Sequence, residues 1–344
     1  MNICFLMYPW EKIDPGKDST LALIHECVKR GHGVAIATPS NLTIRESIAY
    51  GFCKLLKNKG EKLSNSPKVF YKNVLLKEKM LPLAGFDVIF MRANPPLDPI
   101  VLNFLDSVKN DTFIVNDIEG LREANNKIYT AAFDDPNNEI IPVTHVSKNK
   151  EYLKEVIRES DNDRMIMKPL NGFGGSGVIL LEKSAKSNIN SLLDFYIDNA
   201  DGTSNYVILQ NYIEGAEQGD VRVLLLNGEP IGALKRIPGD EDHRSNISAG
   251  GTFAKHNLTK SEKSLCKKIG PKLRKDGLHF VGIDIINGML VEVNVMSPGG
   301  ITYINKVNKV RLQEKVIDFL EEEIEERQKV FDRRSNLRSK LLEN

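Results

Sequence analysis

Asp284, Glu292 and Asn294 stand inside a stretch, Val281 to Val295, that is otherwise almost wholly valine, isoleucine, leucine and glycine. Acidic side chains within apolar strands are costly unless something compensates them. A hard cation bound through oxygens would do so, and Mg²⁺ takes carboxylates together with water and substrate phosphates. The competing account is a polar stripe facing solvent. The stretch reads as two strands about Asn287-Gly288, a strong signal for a two-residue hairpin turn. Glu292 and Asn294 are two apart and share a face. Yet a regular two-residue turn pairs Ile286 with Met289 and sets Asp284 opposite Val291, on the other face from Glu292. A common site therefore needs an odd-length loop or a bulge. The expected solution is a three-residue loop over Ile286–Gly288 with Gly288 left-handed, so that Asp284, Leu290, Glu292 and Asn294 share one face.

A second chemistry-bearing run is Met165-Ile166-Met167-Lys168-Pro169-Leu170-Asn171-Gly172-Phe173-Gly174-Gly175-Ser176-Gly177. A lysine closes an apolar strand, and a glycine-rich turn leads into another strand. Glycines let backbone N–H groups approach phosphate oxygens, and the lysine adds a point charge. The run is neither a P-loop nor a dinucleotide fingerprint, because no helix follows it. It is read either as a phosphate-covering turn or as a plain glycine-rich hairpin. The strand Tyr206–Ile213 could offer its backbone to an adenine edge, and the strand from Asp220 brings Arg222 to the same region. The segment Arg236–Thr252 is long, polar and bounded by glycines, as active-site lids and disordered loops are. Its His243 is expected to be a solvent-facing loop residue.

The elements that must position these groups follow a regular rhythm. A strand over residues 2–8 leads to a helix capped by Asp18 or Ser19, running to about Arg30 and stopped by Gly31. Strands over Val34–Thr38, Asp87–Met91 and Phe113–Val115, with a helix near 98–109, complete a βαβ pattern and imply a parallel sheet covered by helices. Residues 53–79 are lysine-rich and are expected to form an excursion with a short hairpin. A helix carrying Lys127, strands near 140–146, 164–169 and 177–182, and a helix near 188–198 come next. The charged residues 321–344 are expected to extend the last helix and fray into a tail.

Composition excludes several classes. The formal net charge is +1, so no global field draws nucleic acid or anionic membrane. No apolar run approaches transmembrane length, and the N-terminal run lacks the basic flank and length of a signal segment. Cys4, Cys27, Cys53 and Cys266 form no CxxC pair, so buried free thiols in a reducing cytoplasm are expected rather than a zinc site.

Taken in order, these motifs resemble those of the ATP-grasp carboxylate–amine ligases, and within them the bacterial glutathione synthetase family. The resemblance covers about residues 1–320. It rests on Lys17-Asp18-Ser19, Met91-Arg92 with Pro95-Pro96, Asn126-Lys127, Lys168-Pro169-Leu170 with the glycine turn, and Gln210-Asn211-Tyr212. It continues through Gly219-Asp220 with Arg222, Arg236-Ile237-Pro238, Ala249-Gly250-Gly251, and Phe280 to Asn294. It implies an α/β chain with an N-terminal parallel-sheet domain over 1–122 and a two-part ATP-grasp fold over 123–201 and 202–320, before the charged tail 321–344. It further implies that Lys127, Lys168, Gly174, Gly175, Ser176, Gly177, Gln210, Asn211, Tyr212, Ile213 and Asp220 hold ATP. Asp284, Glu292 and Asn294 would hold Mg²⁺ or Mn²⁺. Arg222, Arg236 and Arg244 would act on the reacting groups. Asp18, Ser19, Arg92, Asn246, Gly250, Gly251, Ser297, Gly299 and Gly300 would bind substrate.

The implied reaction joins γ-glutamylcysteine to glycine in a cytoplasmic homo-oligomer, with no nucleic-acid or membrane partner. One departure stands out: Ser297-Pro298-Gly299-Gly300 replaces the family's Ser-Pro-Thr, on the side of the amine acceptor. The alternatives are a ligase of the same fold with another acceptor, and a non-catalytic ATP-binding module.

Overall fold

The computed structural model describes residues 1–57, 63–170, 175–239 and 251–342. They fall into two units, Met1–Ile118 with Gly299–Asn344, and Glu119–Pro298.

The first unit is built on a seven-stranded mixed sheet. Gly33–Ala37, Asn2–Met7, Val88–Arg92 and Phe113–Val115 run parallel in that spatial order. Their apolar runs are buried on both faces, as parallel strands must be when helices cover them. Leu42–Arg45, Ile48–Lys57 and Leu75–Pro82 extend the sheet antiparallel beyond Gly33–Ala37. The expected short hairpin is thus a long one, eight pairs from Tyr50↔Pro82 to Lys57↔Leu75.

Helix Ser19–Lys29 begins where its cap chemistry dictates, with the Asp18 carboxylate accepting the Leu21 N–H at 2.7 Å. Ser19 has a further task. Its hydroxyl accepts the Gly300 and Ile301 N–H groups, both at 3.2 Å, and so satisfies orphan donors of helix Ile301–Asn308. The last helix, Leu312–Leu342, is continuous, so the expected fraying of the tail is not found up to Leu342. Its first turns bury Leu312, Val316, Ile317 and Leu320, and Arg30 holds Asp318 and Glu321 at 2.7 and 2.6 Å. All four cysteines are buried free thiols.

The second unit contains two antiparallel sheets. One has the order Ile179–Glu182, Arg164–Pro169, Val207–Asn211, Thr144–Ser147. Met165, Met167, Val207 and Leu209 pack with Leu153, Ile157 and Leu193 of its two helices. Alternation then turns Lys168 and Gln210 to the opposite face. The expected strand over 140–146 starts only at Thr144. The Asp135 carboxylate collects the N–H groups of Glu139, Ile140 and Ile141, and Pro142 has none to give, so 140–142 cannot join a ladder. Lys127 does not lie within a helix. It caps the single turn Ile128–Ala131, because Asn126 Oδ1 accepts the Ile128 N–H and opens a fresh turn there.

The other sheet has the order Thr252–Lys255, Glu229–Ile237, Asp220–Leu226, Phe280–Ile286, Met289–Asn294. Its hairpin corrects the expected three-residue loop. Asn287 and Gly288 form a two-residue turn with φ of 45° and 80° at the two positions. Ile286 pairs Met289 and Ile285 pairs Leu290, which leaves Leu290 on the other face from the acidic groups. The register then slips, Val291 bulges out, and Asp284 pairs Glu292 while Gly282 pairs Asn294. The bulge reconciles a two-residue turn with a common face.

Gly219 precedes Asp220 with φ 95°, and a Cβ there would lie 1.9 Å from the Arg236 carbonyl oxygen. Gly219→Ala should therefore destabilise the protein by at least about 2 kcal/mol. Denaturant unfolding measures this, and an unchanged midpoint would contradict the close approach.

Candidate functional site

The site is a patch of alternating charge on one face of the five-stranded sheet. Register sets Asp220 beside Arg236, Arg222 beside Asp284, and Asp284 beside Glu292. Paired residues share a face, so all five side chains project together. The opposite face carries Val223, Ile283 and Ile285, which are fully buried.

Asp284 is the centre of the patch. Both its oxygens are taken by the Arg222 guanidinium, and Arg236 Nη2 adds a contact at 2.9 Å. Asn294 Nδ2 donates to Asp284 at 3.4 Å. Burial would raise the Asp284 carboxyl, but the two guanidiniums outweigh it and hold the group far below the usual carboxylate range. Arg236 also donates through Nε to Asp220 at 2.6 Å.

Lys168 reaches the same patch from the four-stranded sheet. Its Nζ donates to Gln210 Oε1 at 3.0 Å and to the carbonyl of the bulged Val291 at 3.4 Å. The bulge thus aligns Asp284 with Glu292 and also offers a carbonyl to the lysine. Lys127 Nζ lies 3.4 Å from Glu292. Burial pushes Lys168 down to about 8; Glu292 opposes that shift and Lys127 adds to it.

The first unit holds a separate cluster. Arg92 is buried, donates from Nε to Thr20 Oγ1 at 3.1 Å, and lies over the Phe90 ring. Tyr8 donates its hydroxyl to Asp18. Burial opposes the Arg92 charge, and Tyr8 and Asp18 offset part of that effect. A hollow of about 270 Å³ opens nearby at the C-terminal ends of the parallel strands, lined by Tyr8, Trp10, Thr38, Asn41, Phe52 and Lys54 among others.

The residues expected from sequence do not all come together. Asp284, Glu292, Asn294, Arg222, Arg236, Asp220, Lys127, Lys168 and Gln210 come together in the second unit. Gln210 is itself spanned, since its Nε2 donates to Thr144 Oγ1 at 2.7 Å while its oxygen holds Lys168, so it orients the lysine. Asn211 ends the strand Val207–Asn211 and Tyr212 follows it, with their N–H groups already donated to Val143 and Arg164. Ile213 accepts at its carbonyl from Ala216. Asp18, Ser19 and Arg92 lie in the first unit with Gly299 and Gly300, Ser19 acting as a helix cap; Ser297 lies in the second. Gly175, Ser176 and Gly177 form a turn in which both glycines have positive φ, and Gly251 precedes the strand Thr252–Lys255. Gly174, Arg244, Asn246, Gly250, His243 and most of the expected lid lie outside the described residues. Thr144, Thr20 and Tyr8 were not read from sequence. Each is a single hydroxyl whose partner is distant along the chain, which no local spacing signals.

Could a divalent metal and a polyphosphate fit here? Asp284, Glu292 and Asn294 supply hard oxygen donors on one face, which suits a magnesium-like ion. Among the described residues, three carboxylates, Asp220, Asp284 and Glu292, face four cations, Arg222, Arg236, Lys127 and Lys168. The cationic excess suits an anion that brings its own metal.

Two family models cover the chain: the prokaryotic glutathione synthetase N-terminal domain matches residues 1–122, and the ATP-grasp domain of the same enzyme matches residues 126–309. The chain belongs to the prokaryotic glutathione synthetase family. Among the family's curated members, the glutathione synthetase of Gloeobacter violaceus is 35% identical over 331 residues, covering 94% of this chain and 97% of that one. That of Bradyrhizobium diazoefficiens is 33% identical over 325 residues, covering 94% and 98%. Among solved structures, D-cycloserine synthetase DcsG aligns with a TM-score of 0.60 at 14% identity, covering 93% of this chain and 100% of its own. A Chryseobacterium gregarium RiPP-associated ATP-grasp ligase, in complex with ADP and a leader and core peptide, aligns with a TM-score of 0.60 at 14% identity, covering 94% and 97%. These neighbours establish the ATP-grasp fold of this glutathione synthetase family member.

Because the folded state lowers the Lys168 pKa to about 8, the unfolded chain holds more protons above that pH, and stability rises with pH from about 8 to the ordinary lysine value. A nucleotide phosphate placed against Lys168 favours the charged form. Nucleotide binding at pH 8 should therefore take up protons and weaken as pH rises further. Calorimetric titrations in two buffers of different ionisation heat read this directly; equal apparent heats would rule it out.

Proposed function

We propose that this chain is an ATP-dependent ligase that joins γ-glutamylcysteine to glycine through an acyl phosphate, releasing ADP and phosphate. Membership of the glutathione synthetase family supports the reaction, and ATP-grasp ligases use ATP with a divalent metal ion. The observation that carries the site assignment is the Val291 bulge, which aligns Asp284 with Glu292 and turns a carbonyl to Lys168.

A carboxylate resists attack by an amine near neutral pH, and phosphorylation gives it a good leaving group. The chain's own work is positioning and charge neutralisation. In this reading Lys127 and Lys168 hold the nucleotide phosphates, and Gln210, fixed by Thr144, aims Lys168. Gly174–Gly177 cover the phosphates, and the strand end Asn211–Ile213 lies beside the base. Asp284, Glu292 and Asn294 hold Mg²⁺, with Mn²⁺ able to substitute. The metal supplies charge neutralisation and orientation of phosphate oxygens. Arg222, Arg236 and Arg244 neutralise the transferring phosphoryl group, while Asp220 steers Arg236. Arg92, held by Thr20, receives a substrate carboxylate, and Asp18, Asn246, Gly250 and Gly251 complete the substrate side. We assign 1–122 to a substrate-side domain, 123–201 to the central ATP-grasp lid subdomain and 202–320 to the C-terminal ATP-grasp subdomain of a cytoplasmic homo-oligomer.

A second reading keeps the chemistry and changes the amine. A Cβ added at Gly299 would meet nothing within 4 Å, so Ser297-Pro298-Gly299-Gly300 leaves open space next to the expected acceptor side. An ADP-release assay with γ-glutamylcysteine separates the readings: release that depends on glycine supports the first, and release driven by another amine supports the second.

Lys168→Ala should weaken ATP binding at least ~10-fold, about 1.4 kcal/mol, while the circular dichroism spectrum is kept. Unchanged nucleotide affinity in the folded variant would remove Lys168 from the phosphate site.

A further inference from the structure

Lys127 has a place against the nucleotide phosphates in the reading above, yet the element that follows it is a single helical turn. Ile128–Ala131 is four residues long. A turn of that length has little stability of its own, because nucleating a helix fixes several residues for one hydrogen bond. Close by, Asn126 Oδ1 accepts the Ile128 N–H at 2.9 Å, and the Lys127 N–H reaches the Leu170 carbonyl at 3.4 Å, a long contact. The direction of the lysine therefore depends on what holds the turn from outside.

That support comes from Asp276. Tyr129, two residues beyond Lys127, is buried and donates its hydroxyl to Asp276 Oδ2 at 2.6 Å. The same oxygen accepts from Lys272 Nζ at 2.7 Å. The Lys272 ammonium lies 4.9 Å over the Tyr129 ring and 6.0 Å over the Phe133 ring, and the two rings meet edge to face. The backbone of Asp276 is engaged as well. A Cβ on Gly120 would lie 2.1 Å from the Asp276 carbonyl oxygen, so the chain leading to Lys127 passes directly against it. Asp276 ends the helix Lys260–Lys275 and shortly precedes Phe280–Ile286, the strand on which Asp284 stands. The segment bearing Lys127 is thus tied to one residue at two points, by backbone and by side chain. A phenol donating to a carboxylate makes a charge-assisted bond, shorter and stronger than one between neutral groups. Burial and the Asp276 carboxylate both push the Tyr129 phenol up, so it stays a donor at neutral pH.

We propose that Tyr129 and Asp276 are positioning residues for Lys127: their hydrogen bond, braced by Lys272, fixes the turn so that the Lys127 ammonium stands 3.4 Å from Glu292, where a nucleotide phosphate is received. The inference rests on the reading that Lys127 holds phosphate. Gln210 steers Lys168 by direct contact, whereas Tyr129 acts on Lys127 through the backbone of one turn.

The probe is MgADP, titrated calorimetrically into the full chain. Tyr129→Phe keeps the ring and removes only the hydroxyl, and Asp276 keeps Lys272 as a partner. MgADP affinity should fall about 5-fold, the scale of one hydrogen bond, while kcat at saturating ATP and the circular dichroism spectrum are kept. Asp276→Asn retains a neutral acceptor and should lose less. Lys127→Ala should also weaken binding, and adding Tyr129→Phe to it should cost nothing more, because no lysine is left to place. A tyrosine that only supports the fold would weaken binding by the same factor in both backgrounds. Native affinity in Tyr129→Phe, or an equal further loss in the Lys127→Ala background, would overturn the proposal. Native affinity in Lys127→Ala would overturn it together with the assignment of Lys127 to the phosphates, so the two failures are told apart. Should Tyr129→Phe not fold, the same cycle run with Asp276→Asn decides: additivity with Lys127→Ala overturns the proposal, and its absence supports it.

Discussion

A carboxylate cannot be left charged in the interior without partners, and Asp284 is 3% exposed. Taking a lone carboxylate out of water costs on the order of several kcal/mol. The chain meets this constraint with two guanidiniums supplied by neighbouring strands, Arg222 across one ladder and Arg236 across the next. That solution requires three strands to be in one register at once. Asp220 in turn holds Arg236, and Gly219 lets the strand approach the Arg236 carbonyl closely enough for the pair to form. Removing any one partner would leave another charge buried and uncompensated, so the patch is a cooperative unit and not a set of independent pairs.

The second sheet depends on the first through Lys168. Its ammonium is buried, and the carbonyl it finds on the first sheet belongs to the residue that a regular hairpin would have kept in the ladder. One extra residue therefore does two things. It restores the face of Glu292 and Asn294, and it frees a carbonyl for a lysine 123 positions away. Gln210 and Thr144 complete the support from the lysine's own sheet.

Much of this was legible in the sequence, and the reason differs by element. Apolar runs and cap residues located the parallel strands and the helix after Asp18, because those signals are local. The need for a bulge or an odd loop in the hairpin about Asn287-Gly288, if Asp284, Glu292 and Asn294 are to share a face, also followed from alternation alone. Which of the two occurs did not, because left-handed Asn287 and Gly288 suit the two-residue turn, while Val291 carries no composition that marks a bulge. The start of the strand at Thr144 was missed because Asp135, several residues earlier, takes the backbone donors. Thr144, Thr20 and Tyr8 were invisible because a hydroxyl acquires a role only when folding brings it to a partner.

The charge inventory bears on the order of events in the proposed reaction. With Arg222 and Arg236 on Asp284 and Lys127 on Glu292, the carboxylates proposed to hold the metal already have cationic partners, so a bare divalent ion would enter an unfavourable field. A nucleotide carrying its metal would reverse that balance. Its phosphate oxygens would give the guanidiniums and lysines charge-assisted partners, and Asp284 and Glu292 would then be available to the ion. In the proposed reaction the same cations that make Asp284 tolerable in the free protein would serve as phosphate ligands in the loaded one.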